Sequence, residues 1–158
     1  MMRRIMLARR RRGAAQIVGT VLSLALLIAG WTATATAARM QQLRVTAHLH
    51  YVAARGSYLI EEGRASGALA GTVKARVRIT AEITGSFTFY AKGGSVSGYG
   101  SAKLSESGSY PSFGGSLKVL GGTGRYAHAH GSGRLYGVYN RRSPRLELTI
   151  QTTGSLSY

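Results

Sequence analysis

Two residue types are missing from the 158-residue chain: it has no cysteine and no aspartate. Without cysteine there is no disulfide framework, thiolate nucleophile or cysteine metal site, so stability has to come from a packed core. Without aspartate, every mechanism that depends on that side chain is excluded, and Glu61, Glu62, Glu82, Glu106 and Glu147 are the whole acidic complement. Proline is scarce too, 2 residues against 22 glycines, while apolar residues make up 44%. Disordered chains are poorer in Val, Ile, Leu and Tyr, so this balance argues for a folded β protein whose glycines serve turns and bends. The length allows one domain plus a targeting segment.

The shortage of acid leaves a formal charge of +16. Six of the 21 basic residues precede position 13; the other fifteen face five glutamates, a net of +10. That excess predicts attraction to anionic surfaces such as phospholipid headgroups, wall polymers or acidic glycans. In a cytoplasmic protein it would suggest nucleic acid, but the N-terminus argues for export. Arg3, Arg4 and Arg9 to Arg12 precede an apolar stretch from about Ile17 to Ala29 and then TATATAA, the three parts of a secretory signal. Cleavage is expected after Ala37 or Ala35, giving a signal segment 1–37 and a domain 38–158. Left uncleaved, the charge-free residues 13–38 suffice to span a bilayer of about 30 Å at about 1.5 Å per residue, with the arginines on the cytoplasmic side. On the first reading the domain is secreted; on the second it is extracytoplasmic and anchored to the membrane by residues 13–38. The arginine pairs fit a twin-arginine route only loosely.

Beyond Arg39 the apolar period becomes two, the mark of strands. Leu43, Val45, Ala47, Leu49 and Tyr51 alternate with Arg44, Thr46, His48 and His50. Val73, Ala75, Val77, Ile79, Ala81 and Ile83 alternate with Lys74, Arg76, Arg78, Thr80 and Glu82, and Phe87, Phe89 and Ala91 keep the phase past Gly85. That stretch reads as one bent strand or as two joined at the glycine. Further strands are predicted over 95–105, 115–120, 132–139 and 145–152, with a short one near 58–61. About eight short strands separated by turn signals suggest a sandwich or a closed antiparallel barrel, and closure removes the open edges that invite aggregation.

The segment GGTGRYAHAHGSGRLYG, from Gly121 to Gly137, resembles the GGTG signature of the allene oxide cyclase and dirigent-type β-barrels, especially small secreted bacterial proteins with an allene oxide cyclase-like barrel. The resemblance implies an all-β antiparallel barrel of about eight strands. It also implies that Gly121, Gly122 and Gly124 form a tight turn between two strands, that Tyr126 packs as the first large residue of the next strand, and that Gly131 permits close backbone approach. Cyclase- or isomerase-like chemistry in the barrel cavity is the activity it suggests; dirigent-type pockets carry acidic residues including Asp, and here only Glu is available.

Several groups could carry chemistry. His48 with His50, and His128 with His130, are His-x-His pairs whose members share a strand face. If their strands were neighbours, four imidazoles could hold Zn²⁺ or Cu²⁺; otherwise they are ordinary polar-face residues. Lys74, Arg76 and Arg78 form a cationic stripe suited to phosphate or carboxylate groups, or to a solvated strand face. Glu61 and Glu62 point to opposite faces if they lie on a strand, so they cannot work as a pair on one substrate; beside Gly63 they read as surface turn charges, though a single buried Glu could act as general acid or base. The tyrosines, among them Tyr90, Tyr99, Tyr110, Tyr126, Tyr136 and Tyr139, could line a cavity or pack the barrel. No Ser-His-acid order, phosphate loop or other catalytic motif is present. The expectation is an exported, non-enzymatic barrel that binds a small apolar ligand or an anionic cell-envelope component. The alternatives are a cyclase-like enzyme using the cavity and a surface metal-binding protein using the histidines.

Overall fold

The computed structural model describes residues 40–158. The expected signal or anchor, residues 1–37 or 13–38, lies outside the described residues. Eight strands follow one another: β1 (Met40–Arg55), β2 (Tyr58–Gly67), β3 (Gly71–Ile79), β4 (Ile83–Ala91), β5 (Gly94–Leu104), β6 (Ser112–Gly122), β7 (His130–Asn140) and β8 (Glu147–Ser157). Each pairs antiparallel with the next, and β8 closes back on β1, giving an eight-stranded barrel without an edge. This is the predicted all-β closed barrel.

Directly opposed residues of an antiparallel pair share a face, so the register defines the inner wall. Leu43, Val45, Ala47 and Leu49 of β1 face Gly154, Thr152, Ile150 and Leu148 of β8. On β3, Val73, Ala75 and Val77 face Phe89, Phe87 and Gly85 of β4. These alternate residues are the core, while Lys74, Arg76 and Arg78 between them are exposed. The period-two pattern therefore assigns inside and outside correctly on both strands.

Glycine has a second use beyond turns. Many inward positions are glycine, and large residues sit opposite them, as in small barrels where bulky and small residues alternate to fill the bore. Phe113 faces Gly137, and a Cβ at Gly137 would come within 2.1 Å of the Phe113 ring. Phe87 faces Gly98 in the same manner, with a ring carbon 2.5 Å from where that Cβ would stand.

Strand boundaries differ from the sequence expectation in places. The stretch from Val73 to Ala91 is two strands, but the break falls at Thr80–Glu82, where the Thr80 amide and hydroxyl both donate to the Glu82 carbonyl. Gly85 lies inside β4, and Ala81, assigned to the inward phase, is exposed in the turn. The short strand near 58–61 runs on to Gly67, because β1 and β3 flank it over its length. β1 is the longest strand at 16 residues and bulges between Tyr51 and Ala53. It leaves β8 at Leu49 and continues with β2 as a hairpin.

The two barrel ends differ. At one end, Leu69 of the β2–β3 turn and Tyr126 and Ala129 of the β6–β7 connection are buried. Tyr158 packs edge-to-face against Tyr126 at 4.8 Å, receives a hydrogen bond from Arg125 (2.7 Å) and donates one to Gln41 (2.9 Å), so that end is closed. At the other end the β1–β2, β3–β4, β5–β6 and β7–β8 connections surround a mouth.

Candidate functional site

A cavity of about 70 Å³ lies in the half of the barrel below the mouth. Its wall is largely apolar, with Ala75, Ile83, Ala102, Phe113, Leu148 and Ile150 contributing. It exists because Ala75, Gly85, Gly100 and Ala102 are small inward residues on three adjacent strands, too short to meet across the bore. Ile79 and Leu104 continue the inward phase of β3 and β5 to the strand ends, and with half their surface exposed they form an apolar lip at this end.

The polar residues of the wall are Thr84, Ser86, Ser101 and Tyr139. Tyr139, near the end of β7, lines the cavity and donates its hydroxyl proton to Glu61 Oε1 on β2. Glu61 is fully buried, and its Oε2 has no hydrogen-bond partner among the described residues. Of the buried polar residues (Glu61, Ser112, Thr152 and Ser157) it is the only acid. Burial in apolar surroundings penalises the carboxylate and pushes its pKa up to about 7, against which the Tyr139 hydrogen bond works in the opposite direction. Burial and the neighbouring acid push the Tyr139 phenol well above its usual range, so it remains a donor.

The expectation of Glu61 as a surface turn charge is thus corrected. No turn lies at Gly63; β2 continues through it, and inward alternation carries Glu61 into the bore between Tyr51 and Ala75. Glu62 points outward and pairs with Lys74 at 2.9 Å, so the two glutamates do occupy opposite faces.

The other predicted residues fall in four places. Lys74, Arg76 and Arg78 line the outside of β3, with Lys74 held by Glu62 and Arg76 stacked 4.0 Å over Tyr58. His48 and His50 share the outer face of β1, where His48 lies opposite Thr149 of β8. His130 begins β7 opposite Ser157, at the far end of β8, and His128 lies in the preceding turn. β8 separates the pairs, which do not meet, and among the described residues no group of three or more His or Glu could hold a metal ion.

In the GGTG segment, Gly121 and Gly122 end β6 and Gly124 opens a single 3₁₀ turn. Gly124 has φ +60°, and a Cβ there would lie 2.2 Å from the Gly93 carbonyl oxygen, so position and conformation both require glycine. Tyr126 belongs to this turn rather than to the next strand, and it is buried as the plug of the closed end. Gly131 allows close approach as expected, since a Cβ would lie 2.2 Å from the Ser155 carbonyl oxygen. At Gly121 nothing lies within 4 Å. Of the six tyrosines, Tyr126 and Tyr139 are buried while Tyr90, Tyr99, Tyr110 and Tyr136 are exposed.

The Glu61–Tyr139 pair was missed as a pair because its members lie 78 positions apart. The available signal was parity: Leu59, Glu61, Gly63 and Ala65 share a phase. In comparisons with known proteins, no family model, curated protein or solved structure matches the chain.

Proposed function

We propose that this protein is an exported barrel that binds a small apolar ligand, or the apolar end of a longer one, in the cavity beside Tyr139 and Glu61. The observation that carries the reading is a void with a largely apolar wall that also contains a tyrosine held by a buried acid. Sites for drug-sized ligands occupy roughly 300–1,000 Å³, so a space of about 70 Å³ suits a short alkyl end or a small ring. A polar group on the guest would meet the Tyr139 hydroxyl, and the rest of a longer ligand would pass the Ile79 and Leu104 lip. The test is a titration with straight-chain alcohols of increasing length, followed by chemical shifts. Shifts confined to Ala75, Ala102 and Leu148, and abolished by filling the space with Ala102→Leu, support the reading. Shifts scattered over the outer surface, unchanged in that variant, contradict it.

A second reading, the cyclase- or isomerase-like enzyme suggested by resemblance to the allene oxide cyclase-like barrels, is favoured by Glu61 itself. A carboxyl poised near pH 7 in an apolar site is suited to general acid–base work. It requires a substrate to reach the acid. Turnover of an unsaturated epoxide or other isomerisable substrate that disappears in Glu61→Gln would favour this reading over simple binding.

A further inference from the structure

The outer surface carries few acids: Glu62 lies on β2, Glu82 and Glu106 in the β3–β4 and β5–β6 connections, and Glu147 at the mouth end of β8, while Glu61 points inward. No acidic residue occurs on β6 or β7, or on β8 beyond Glu147. On this acid-free flank, near the closed end, the outer faces of β6, β7, β8 and β1 form an open trough of about 1030 Å³. The inward positions beneath it include Gly131, Gly133 and Gly154, which have no side chain to hold the wall away from the core.

Register places the groups along it. One row across the strands reads Lys118, Ser132, Ser155, Gln42, and the adjacent row reads Ser116, Arg134, Thr153, Arg44. Strands are about 4.8 Å apart and alternate residues about 7 Å apart, so Lys118, Arg134 and Arg44 follow one another at intervals of roughly 8–10 Å with hydroxyls between them. Lys118, Arg134 and Arg44 are exposed and have no ion pair among the described residues. The β3 stripe is different, since Lys74 is neutralised by Glu62 and Arg76 is engaged with Tyr58.

We infer that this trough binds a linear acidic polysaccharide, a glycan carrying carboxylate or phosphate groups at sugar-length intervals. Arg134 supplies forked donors for an anion, Lys118 a point charge, and Ser132, Ser155 and Thr153 hydrogen bonds for sugar hydroxyls; Arg44, outside the lining but opposite Thr153, adds a cation at the margin. The trough contains no Phe, Tyr or Trp on which bases could stack, the platform that single-stranded nucleic acid uses. The site lies outside the barrel and is independent of the cavity reading, so either can fail alone.

The test uses the full chain, so that the N-terminal arginines are common to every variant. Binding of polygalacturonate and of a linear poly(glycosyl phosphate) is measured for the unaltered chain, for Lys118→Ser/Arg134→Ser, and for Lys74→Ser/Arg76→Ser, which loses the same charge from β3. The trough double variant is expected to lose affinity by roughly ten-fold per residue, the size of one charge-assisted hydrogen bond, and the β3 variant much less. Ser132→Glu, which adds repulsion on the trough floor, should act in the same direction. Whichever polymer shows the larger trough-dependent loss identifies carboxylate or phosphate as the natural anion. Equal losses for the two double variants, or larger ones for β3, overturn the assignment. So does polyuridylate binding that is tighter than either glycan and equally sensitive to the trough variants.

Discussion

Tyr139 on β7 donates its hydroxyl proton to Glu61 on β2, joining two strands that are separated in the barrel wall by β1 and β8. The bond crosses the bore rather than running along the sheet. It sets both the electrostatics of the interior and the polar end of the cavity wall.

A pH dependence of stability follows from it. Glu61 titrates near 4.5 when unfolded and at about 7 when folded. A raised acid pKa means that the folded state holds the proton more tightly. Its contribution is therefore fully present below about pH 4.5 and is lost as pH rises toward 7. The shift corresponds to roughly 3 kcal/mol at about 1.4 kcal/mol per unit. Glu61→Gln keeps the shape and removes the charge, so denaturant unfolding should find it less pH-dependent than the unaltered chain and more stable at pH 8. A parallel pH profile for the two proteins would contradict the burial argument.

Removing the hydroxyl alone should have a different signature. Tyr139→Phe leaves both Glu61 oxygens without a protein donor, which should cost about 1–3 kcal/mol and raise the Glu61 pKa further, since the lost hydrogen bond lowers it. Urea unfolding at pH 5 and pH 8, with NMR titration of the carboxyl carbon, measures both effects.

The Phe113 and Gly137 pairing predicts a steric effect. Phe113 is buried and lies 6.1 Å from the Tyr139 ring, so it has little room to move. Gly137→Ala should destabilise the barrel by about 1–3 kcal/mol, as overpacking does. Phe113→Leu in the same chain should recover part of the loss, and a double-mutant cycle reads the coupling directly.

Export is tested by expression in a bacterial host with a secretion pathway. The proposed secreted form begins at Thr36 or Ala38, which Edman degradation or intact mass would show; retention of Met1 in the membrane fraction would instead favour the anchor.

Much of the fold was legible because a half-buried strand displays its two faces in sequence. Leu43 to Leu49 and Val73 to Val77 reveal both strand and orientation by alternation alone. The β6–β7 turn was legible through its glycines. Boundaries were harder: the break at Thr80–Glu82 interrupts a pattern that continues in phase on either side. The site was least visible because its parts are brought together by closure. Nothing near Glu61 in sequence shows that Tyr139 waits across the bore, and Glu-Glu-Gly resembles an exposed turn. The histidines illustrate the converse. Their i, i+2 spacing is suggestive, yet β8 lies between the two pairs, and only strand order could separate them.

Crystallography under xenon pressure probes the apolar cavity beside Tyr139 itself, since xenon enters dry apolar voids. A xenon peak is expected among Ala75, Ala102, Phe113 and Leu148 in the unaltered chain, and none in Ala102→Leu. A bore without xenon there, or with ordered water filling the space against Tyr139, would contradict that expectation.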